Sequence, residues 1–204
     1  MIYALIPAKS ESRRVKNKNF VRISGKTLFE ITLDFAIESE IFDKIIVSSD
    51  KRMGSLMHSK VVFDLRPKRL AKATTTMDLL ILYMIKKYKM KNDDVIILLQ
   101  PTSPLRSKND LKEALFLFSE KKKTVISVEK IENKEHMFFS SEDGLILIPY
   151  KNIYRQNGAF YIFNVKDFLK NRKIPVDFEP YQMERVNSID IDEYLDYIIS
   201  LLVI

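Results

Sequence analysis

Three short segments of this chain carry residue types that bind phosphate, present rigid hydrogen-bond groups or hold a divalent cation. The first runs from Ile6 to Asn19, where Lys9, Arg13, Arg14, Lys16 and Lys18 crowd around Ser10 and Ser12 directly after an apolar run. Cations and backbone N–H groups in such a loop could neutralise a triphosphate and its departing pyrophosphate, although the same residues also read as an exposed basic loop. The second is Gln100-Pro101-Thr102-Ser103-Pro104-Leu105-Arg106. Its two prolines fix the backbone, so Gln100, Thr102 and Ser103 become rigid hydrogen-bond groups, or simply parts of a turn. The third is Ser188-Ile189-Asp190-Ile191-Asp192. Strand alternation would send Asp190 and Asp192 to one face and the isoleucines to the core. Two carboxylates on one face suit a Mg²⁺ that also takes phosphate oxygens. The alternative makes Asp192 the N-cap of the last helix, and the two uses are compatible.

Loops of this kind need a scaffold that delivers them to one place. Apolar runs at Ile2–Ile6, Lys44–Ser48, Val61–Leu65, Val95–Leu99 and Thr124–Val128 read as buried strands bounded by polar turns. Helix-period stripes separate them: Leu28, Ile31 and Phe35 in Thr27–Ser39; Leu80, Ile81, Met84, Ile85 and Tyr88 in Met77–Tyr88; and then Leu111, Leu115 and Phe118. Alternation of this kind predicts a mostly parallel sheet flanked by helices on both faces, in a single α/β domain over residues 1–204. After Glu129 the rhythm changes. Gly144–Pro149, Ala159–Asn164 and Asn187–Ile191 read as strands, and a helix closes the chain from about Glu193 to Ile204. Ligands of open α/β sheets bind outside the carboxyl ends of the strands, where all three segments should arrive.

Composition excludes much else. The chain has 204 residues, 46% of them apolar and 30% charged, as a globular core requires. Zero cysteines exclude disulfides, thiol catalysis and every Cys-containing zinc site, and two histidines, His58 and His136, read as surface or packing residues. Four glycines leave no room for a glycine-rich phosphate loop; neither G-x-G-x-x-G nor the P-loop pattern occurs. No apolar run approaches the ~18 residues that span a bilayer, and Ile2–Pro7 lacks the form of a signal peptide, so a cytoplasmic protein is expected. The net charge of +7 reads either as a lysine-rich surface or as attraction for an anionic partner. The aromatics, Phe160, Tyr161 and Phe163 among them, fall in strand patterns rather than beside basic clusters, which argues against nucleic acid.

The loop I-P-A-K-S-E-S-R-R-V-K-N-K-N, the segment L-L-Q-P-T-S-P-L-R, the run R-Q-N-G-A-F-Y-I and the terminal S-I-D-I-D together resemble the cytidylyltransferases that activate sialic-type nine-carbon sugars. All four occur in that family's order and span nearly the whole chain. The resemblance implies a nucleotide-diphospho-sugar-transferase-like fold. It also implies a Mg²⁺-dependent transfer of CMP from CTP to the anomeric hydroxyl of an acidic 2-keto sugar, releasing pyrophosphate, for surface glycan assembly. Carried over by motif, Lys9, Ser12, Arg13, Lys18 and Asn19 would hold the nucleotide phosphates, with Arg13 and Lys18 acting in catalysis. Arg66 would lie near the cytidine, with Thr75 and Thr76 beside it. Gln100 and Ser103 would contact the sugar, and Arg155 would face its carboxylate. Asp190 and Asp192 would hold the metal. The resemblance further implies a homodimer through an arm, here shortened to about residues 131–150, whose Met137, Phe138, Phe139 and Leu145–Ile148 are apolar. Two other readings remain: the same fold acting on the eight-carbon acid Kdo or its 8-amino analogue, and a non-enzymatic basic binding module.

Overall fold

The computed structural model describes residues 1–10, 17–52, 58–72, 74–131, 138–141, 144–147 and 153–203. In chain order the elements are β1 (Ile2–Pro7), a 3₁₀ turn (Lys18–Phe20), β2 (Arg22–Ile23), β3 (Lys26–Thr27), α1 (Leu28–Glu38), β4 (Lys44–Ser49), β5 (Val61–Leu65), α2 (Lys68–Ala71), α3 (Met77–Lys87), β6 (Val95–Leu98) and α4 (Lys108–Lys121). Then follow β7 (Val125–Ile131), β8 (Phe138–Ser141), β9 (Gly144–Leu147), β10 (Ile153–Asn164), α5 (Val165–Asn171), β11 (Glu179–Met183), a 3₁₀ turn (Val186–Ser188) and α6 (Tyr194–Val203).

Seven strands form one sheet in the order β11-β7-β10-β6-β1-β4-β5. β10 runs antiparallel to both neighbours, and every other pairing in that sheet is parallel. This is the mostly parallel sheet that the sequence predicts. The parallel strands β1, β4 and β6 each carry an unbroken apolar stretch because both of their faces are covered. α1 and α4 pack Phe29, Leu33, Leu111 and Ala114 against one face. On the other face, α3 and α5 contribute Leu80, Ile81, Met84 and Phe168. Capping boxes fix where two of these helices start. Thr27 Oγ1 accepts the Glu30 N–H while the Glu30 carboxylate accepts the Thr27 N–H, and Ser107 and Asp110 repeat the exchange at α4. The second box ends the Gln100–Arg106 loop at a defined point.

Two differences from the sequence reading matter. Asn187–Ile191 is not a strand: its backbone bends through the 3₁₀ turn, and the Ile191 N–H donates to the Thr102 carbonyl at 2.7 Å rather than to a ladder. The edge strand is instead β11, which pairs only with β7. It contains Pro180, which costs nothing on an outer edge and hides the strand from pattern reading. β8 and β9 form a separate two-stranded sheet within the expected arm. Met137 and Ile148 of that expectation lie outside the described residues, as does His136, while His58 is exposed. No helix among the described residues is long and apolar enough to cross a membrane.

Candidate active site

A cavity of about 200 Å³ opens at the carboxyl ends of β1, β5 and β6. Lys9 follows β1, Arg66 follows β5, and Gln100 follows β6; all three line it with Lys18, Asn19, Thr75, Thr76 and Asp192. Eight residues singled out from sequence therefore meet in one cleft. Ser12 and Arg13 lie outside the described residues.

The basic loop is tied at both ends. Asp50, at the end of β4, accepts the Ser10 N–H and hydroxyl at 2.6 and 2.7 Å. Burial pushes this carboxylate up, but the two Ser10 bonds, its own backbone N–H and the Arg66 charge together more than offset it, so its pKa falls. At the far end Asn19 Nδ2 donates to the Lys9 carbonyl at 2.8 Å. Lys18 Nζ then reaches across to Asp192 Oδ1 at 2.7 Å, joining the first and last site segments.

Arg66 is buried and anchored by one edge. Its Nε donates to Ser48 Oγ at 3.2 Å and Nη2 to the Ser48 carbonyl at 2.9 Å. The Ser48 hydroxyl in turn donates a hydrogen bond to the buried Asp64 carboxylate at 3.2 Å. Burial lowers the guanidinium pKa while the Asp50 and Asp64 charges oppose the shift. Thr75 and Thr76 flank the cavity with their hydroxyls already engaged. Thr75 donates to the Arg69 carbonyl, and Thr76 accepts the Leu79 N–H as the N-cap of α3. They shape the pocket wall and the helix entry.

The Gln100 loop divides its residues between roles. Gln100 and Thr102 both line the cavity, and the Thr102 carbonyl accepts the Ile191 N–H beside Asp190. Ser103, expected to contact the sugar, is fully buried and donates its hydroxyl to the Asn157 carbonyl at 2.8 Å. It is a structural tie, because the two-proline turn faces it inward. Arg106, given no role from sequence, lies beneath the loop. Its Nε donates to the Ser103 carbonyl at 2.8 Å, Nη2 donates to the Gln100 carbonyl, and its guanidinium lies over Phe35. Burial draws its pKa down to about 9, with Asp190 opposing.

Asp190 and Asp192 do not share a strand face. Asp192 lines the cavity; Asp190 borders a second cavity of about 470 Å³ on the same sheet edge, with Glu129, Arg155 and Arg185. Burial raises the Asp190 pKa and Asp192 adds to the rise, against Thr102, Lys18 and Arg106. Its buried Oδ1 has no hydrogen-bond partner among the described residues. Nor is Asp192 a simple cap: α6 starts at Tyr194, and Asp196 accepts the N–H groups of Asp192 and Glu193. Among the described residues no group of three or more His, Cys, Asp or Glu side chains gathers. A cation here must complete its shell from phosphate or water, as Mg²⁺ does, and the orphan oxygen of Asp190 fits that donor set. Arg155 stands apart from the first cavity, with Nη2 on Glu129 Oε2 at 2.8 Å.

The cleft lies at the carboxyl edge of an α/β sheet, with Lys9, Lys18 and Arg66 around it and Asp192 on its wall, an arrangement able to hold the phosphates of a nucleotide. Residues 3–202 match the family model described as cytidylyltransferase, and the chain belongs to that family. It is 30% identical to an N-acylneuraminate cytidylyltransferase of Escherichia coli O18:K1:H7, over 96% of this chain and 50% of the relative. It is 28% identical to the CMP-N,N'-diacetyllegionaminic acid synthase of Legionella pneumophila, over 98% and 94%. The chain thus spans about half the length of the N-acylneuraminate enzymes it matches and nearly all of the legionaminic one. In fold it is similar to the crystal structure of a Francisella tularensis 2-C-methyl-D-erythritol 4-phosphate cytidylyltransferase, with TM-score 0.73, 15% identity and coverage of 100% and 99%. A CMP:2-keto-3-deoxy-manno-octonic acid synthetase solved with CTP gives TM-score 0.57 and 18% identity over 83% and 76%.

Proposed function

We propose that this chain transfers CMP from CTP to the anomeric hydroxyl of a nonulosonic, sialic-type 2-keto sugar acid, in the cytoplasm and for surface glycan assembly. One observation carries the reading: Lys9, Lys18, Asn19, Arg66, Gln100 and Asp192, from four separate segments, line one cavity. The names of the relatives support the substrate class.

In this reading Lys9, Lys18 and Asn19 grip the triphosphate and Arg66 fixes the nucleotide. The anomeric oxygen attacks the α-phosphorus, its proton passes to water, and the bond to the bridging oxygen breaks with the electron pair departing on pyrophosphate. Lysine charge stabilises that leaving group, and the two loops hold attacker and phosphorus in line. Mg²⁺, held by Asp190 and Asp192, would add charge on the phosphate oxygens. Arg155, on the second cavity, would pair with the sugar carboxylate in exchange for Glu129.

The test is pyrophosphate release with CTP, Mg²⁺ and a panel of nonulosonic acids and Kdo. Release dependent on CTP and one nonulosonic acid is expected; release with Kdo alone, or silence, would overturn the assignment. Arg66→Lys keeps the charge but loses the fork that holds both Ser48 groups, and should raise KM for CTP about tenfold. Arg155→Lys should raise KM for the acid about tenfold with CTP little affected; equal weakening toward both substrates would count against that role.

A homodimer belongs to the same proposal. The β8–β9 sheet stands apart from the main sheet, and α6 exposes Leu195 at 65% and Leu202 at 83%, more apolar surface than a lone helix face needs. Sedimentation at micromolar concentration should show a dimer, and a clean monomer refutes it.

A further inference from the structure

The pairing of β10 with β7 loses register between Gln156 and Tyr161, and Gly158 takes φ +73° within that irregularity. Such bulges re-aim a side chain, and here the residue turned inward is Asn157, 1% exposed. Its polar groups reach four segments, one of them β11 through Nδ2 on Met183 Sδ at 3.3 Å. Its backbone carbonyl accepts the Ser103 hydroxyl at 2.8 Å. Its Oδ1 accepts the Ser127 hydroxyl of β7 at 2.5 Å, and its Nδ2 donates to Ser188 Oγ at 3.0 Å. Ser103 belongs to the loop that carries Gln100; Ser188 lies two residues before Asp190.

These two loops also touch directly, through the Ile191 N–H on the Thr102 carbonyl at 2.7 Å. Contacts at one edge leave the loops free to pivot; a second tie underneath fixes their angle. We infer that Asn157 is a positioning residue that locks the Gln100 loop to the Asp190–Asp192 segment from below, although it lines neither cavity itself. The consequence for turnover rests on the proposed cytidylyl transfer; the mechanical coupling does not.

Ser127 makes the test clean, because its hydroxyl bonds only to Asn157 and Phe160 among the described contacts and touches neither loop. Ser127→Ala should therefore raise amide hydrogen exchange in residues 100–106 and in 186–192 together, by about tenfold, the size expected within one hydrogen-bond network. Turnover should fall about tenfold while KM for CTP stays within about twofold, since Lys9 and Arg66 hang on other strands. Asn157→Ala should do the same more strongly, and if it does not fold, Ser127→Ala decides alone. Faster exchange confined to 125–131 and 153–164, or a uniform rise across the sheet, would overturn the coupling. If both loops loosen yet the wild-type protein releases no pyrophosphate with any acid, the coupling stands and the proposed activity is what fails.

Discussion

Asp192→Asn is expected to cut turnover about a hundredfold, the loss of several kcal/mol that removing one partner of a metal clamp entails, while leaving thermal stability within about 0.5 kcal/mol. The two effects separate because Asp192 contributes little to the fold. Its bond to Lys18 is a partly exposed ion pair, with side-chain exposures of 44% and 18%. Such pairs are worth about 0–1 kcal/mol. The amides at the start of α6 are held by Asp196, so asparagine leaves them satisfied. Asp190→Asn removes the same charge from a buried position and should show a comparable loss of turnover. Added Mg²⁺ should recover part of the activity of either variant. The measurements are pyrophosphate release across a Mg²⁺ titration and a melting curve for each protein. Wild-type turnover in Asp192→Asn, beside a melting point lowered only in Asp192→Ala, would return the residue to a capping role.

Much of the scaffold is legible in the sequence for one physical reason. β1, β4 and β6 are covered on both faces, so each carries an unbroken apolar run (Ile2–Pro7, Ile45–Val47 and Val95–Leu98) that stands out from any register. Strand ends then locate Lys9, Arg66 and Gln100, because residues just past parallel strands must arrive at the same edge. Legibility fails where tertiary contacts override local pattern. Ser-Ile-Asp-Ile-Asp alternates like a strand, yet its Ile191 amide serves the Thr102 carbonyl, which sends its two aspartates to different cavities. Glu179–Met183 carries a proline and still pairs, because the sheet ends there. Within one loop, spacing tells which residues follow the strand but not which way each faces. Gln100 lines the cavity, whereas Ser103, three positions on, is buried against Asn157. Arg106 sits in the same run, but nothing in its neighbours signals that its guanidinium will be buried beneath two carbonyls of its own loop. Asn157 carries a fainter sign: it precedes one of only four glycines in the chain.

Gly158→Ala is expected to raise KM for the sugar acid at least about tenfold, through Gln100 rather than through any contact of its own. Two costs meet at this position. The backbone sits at φ +73°, where an L side chain costs about 1–2 kcal/mol. A Cβ there would also lie 2.8 Å from Gln100 Oε1 and 3.0 Å from Ser103 Oγ. Ser103 cannot give way, because its hydroxyl is bonded to Asn157 and its carbonyl to Arg106. Gln100 can, since Oε1 is the end of a flexible side chain. The methyl group therefore displaces the carboxamide from the cavity wall, while Arg106 keeps the Gln100 backbone in place. The melting curve should show a loss of about 1–3 kcal/mol, from backbone strain and crowding together. KM for CTP should stay within about threefold, because Lys9, Lys18 and Arg66 stand on other segments. Gln100→Ala provides the separating comparison, since it removes the carboxamide without straining β10. It should reproduce the rise in KM for the acid at near-native stability. If Gly158→Ala loses stability but keeps its KM for the acid, and Gln100→Ala is equally silent, Gln100 does not touch the sugar and the acid must be held from the Arg155 side alone.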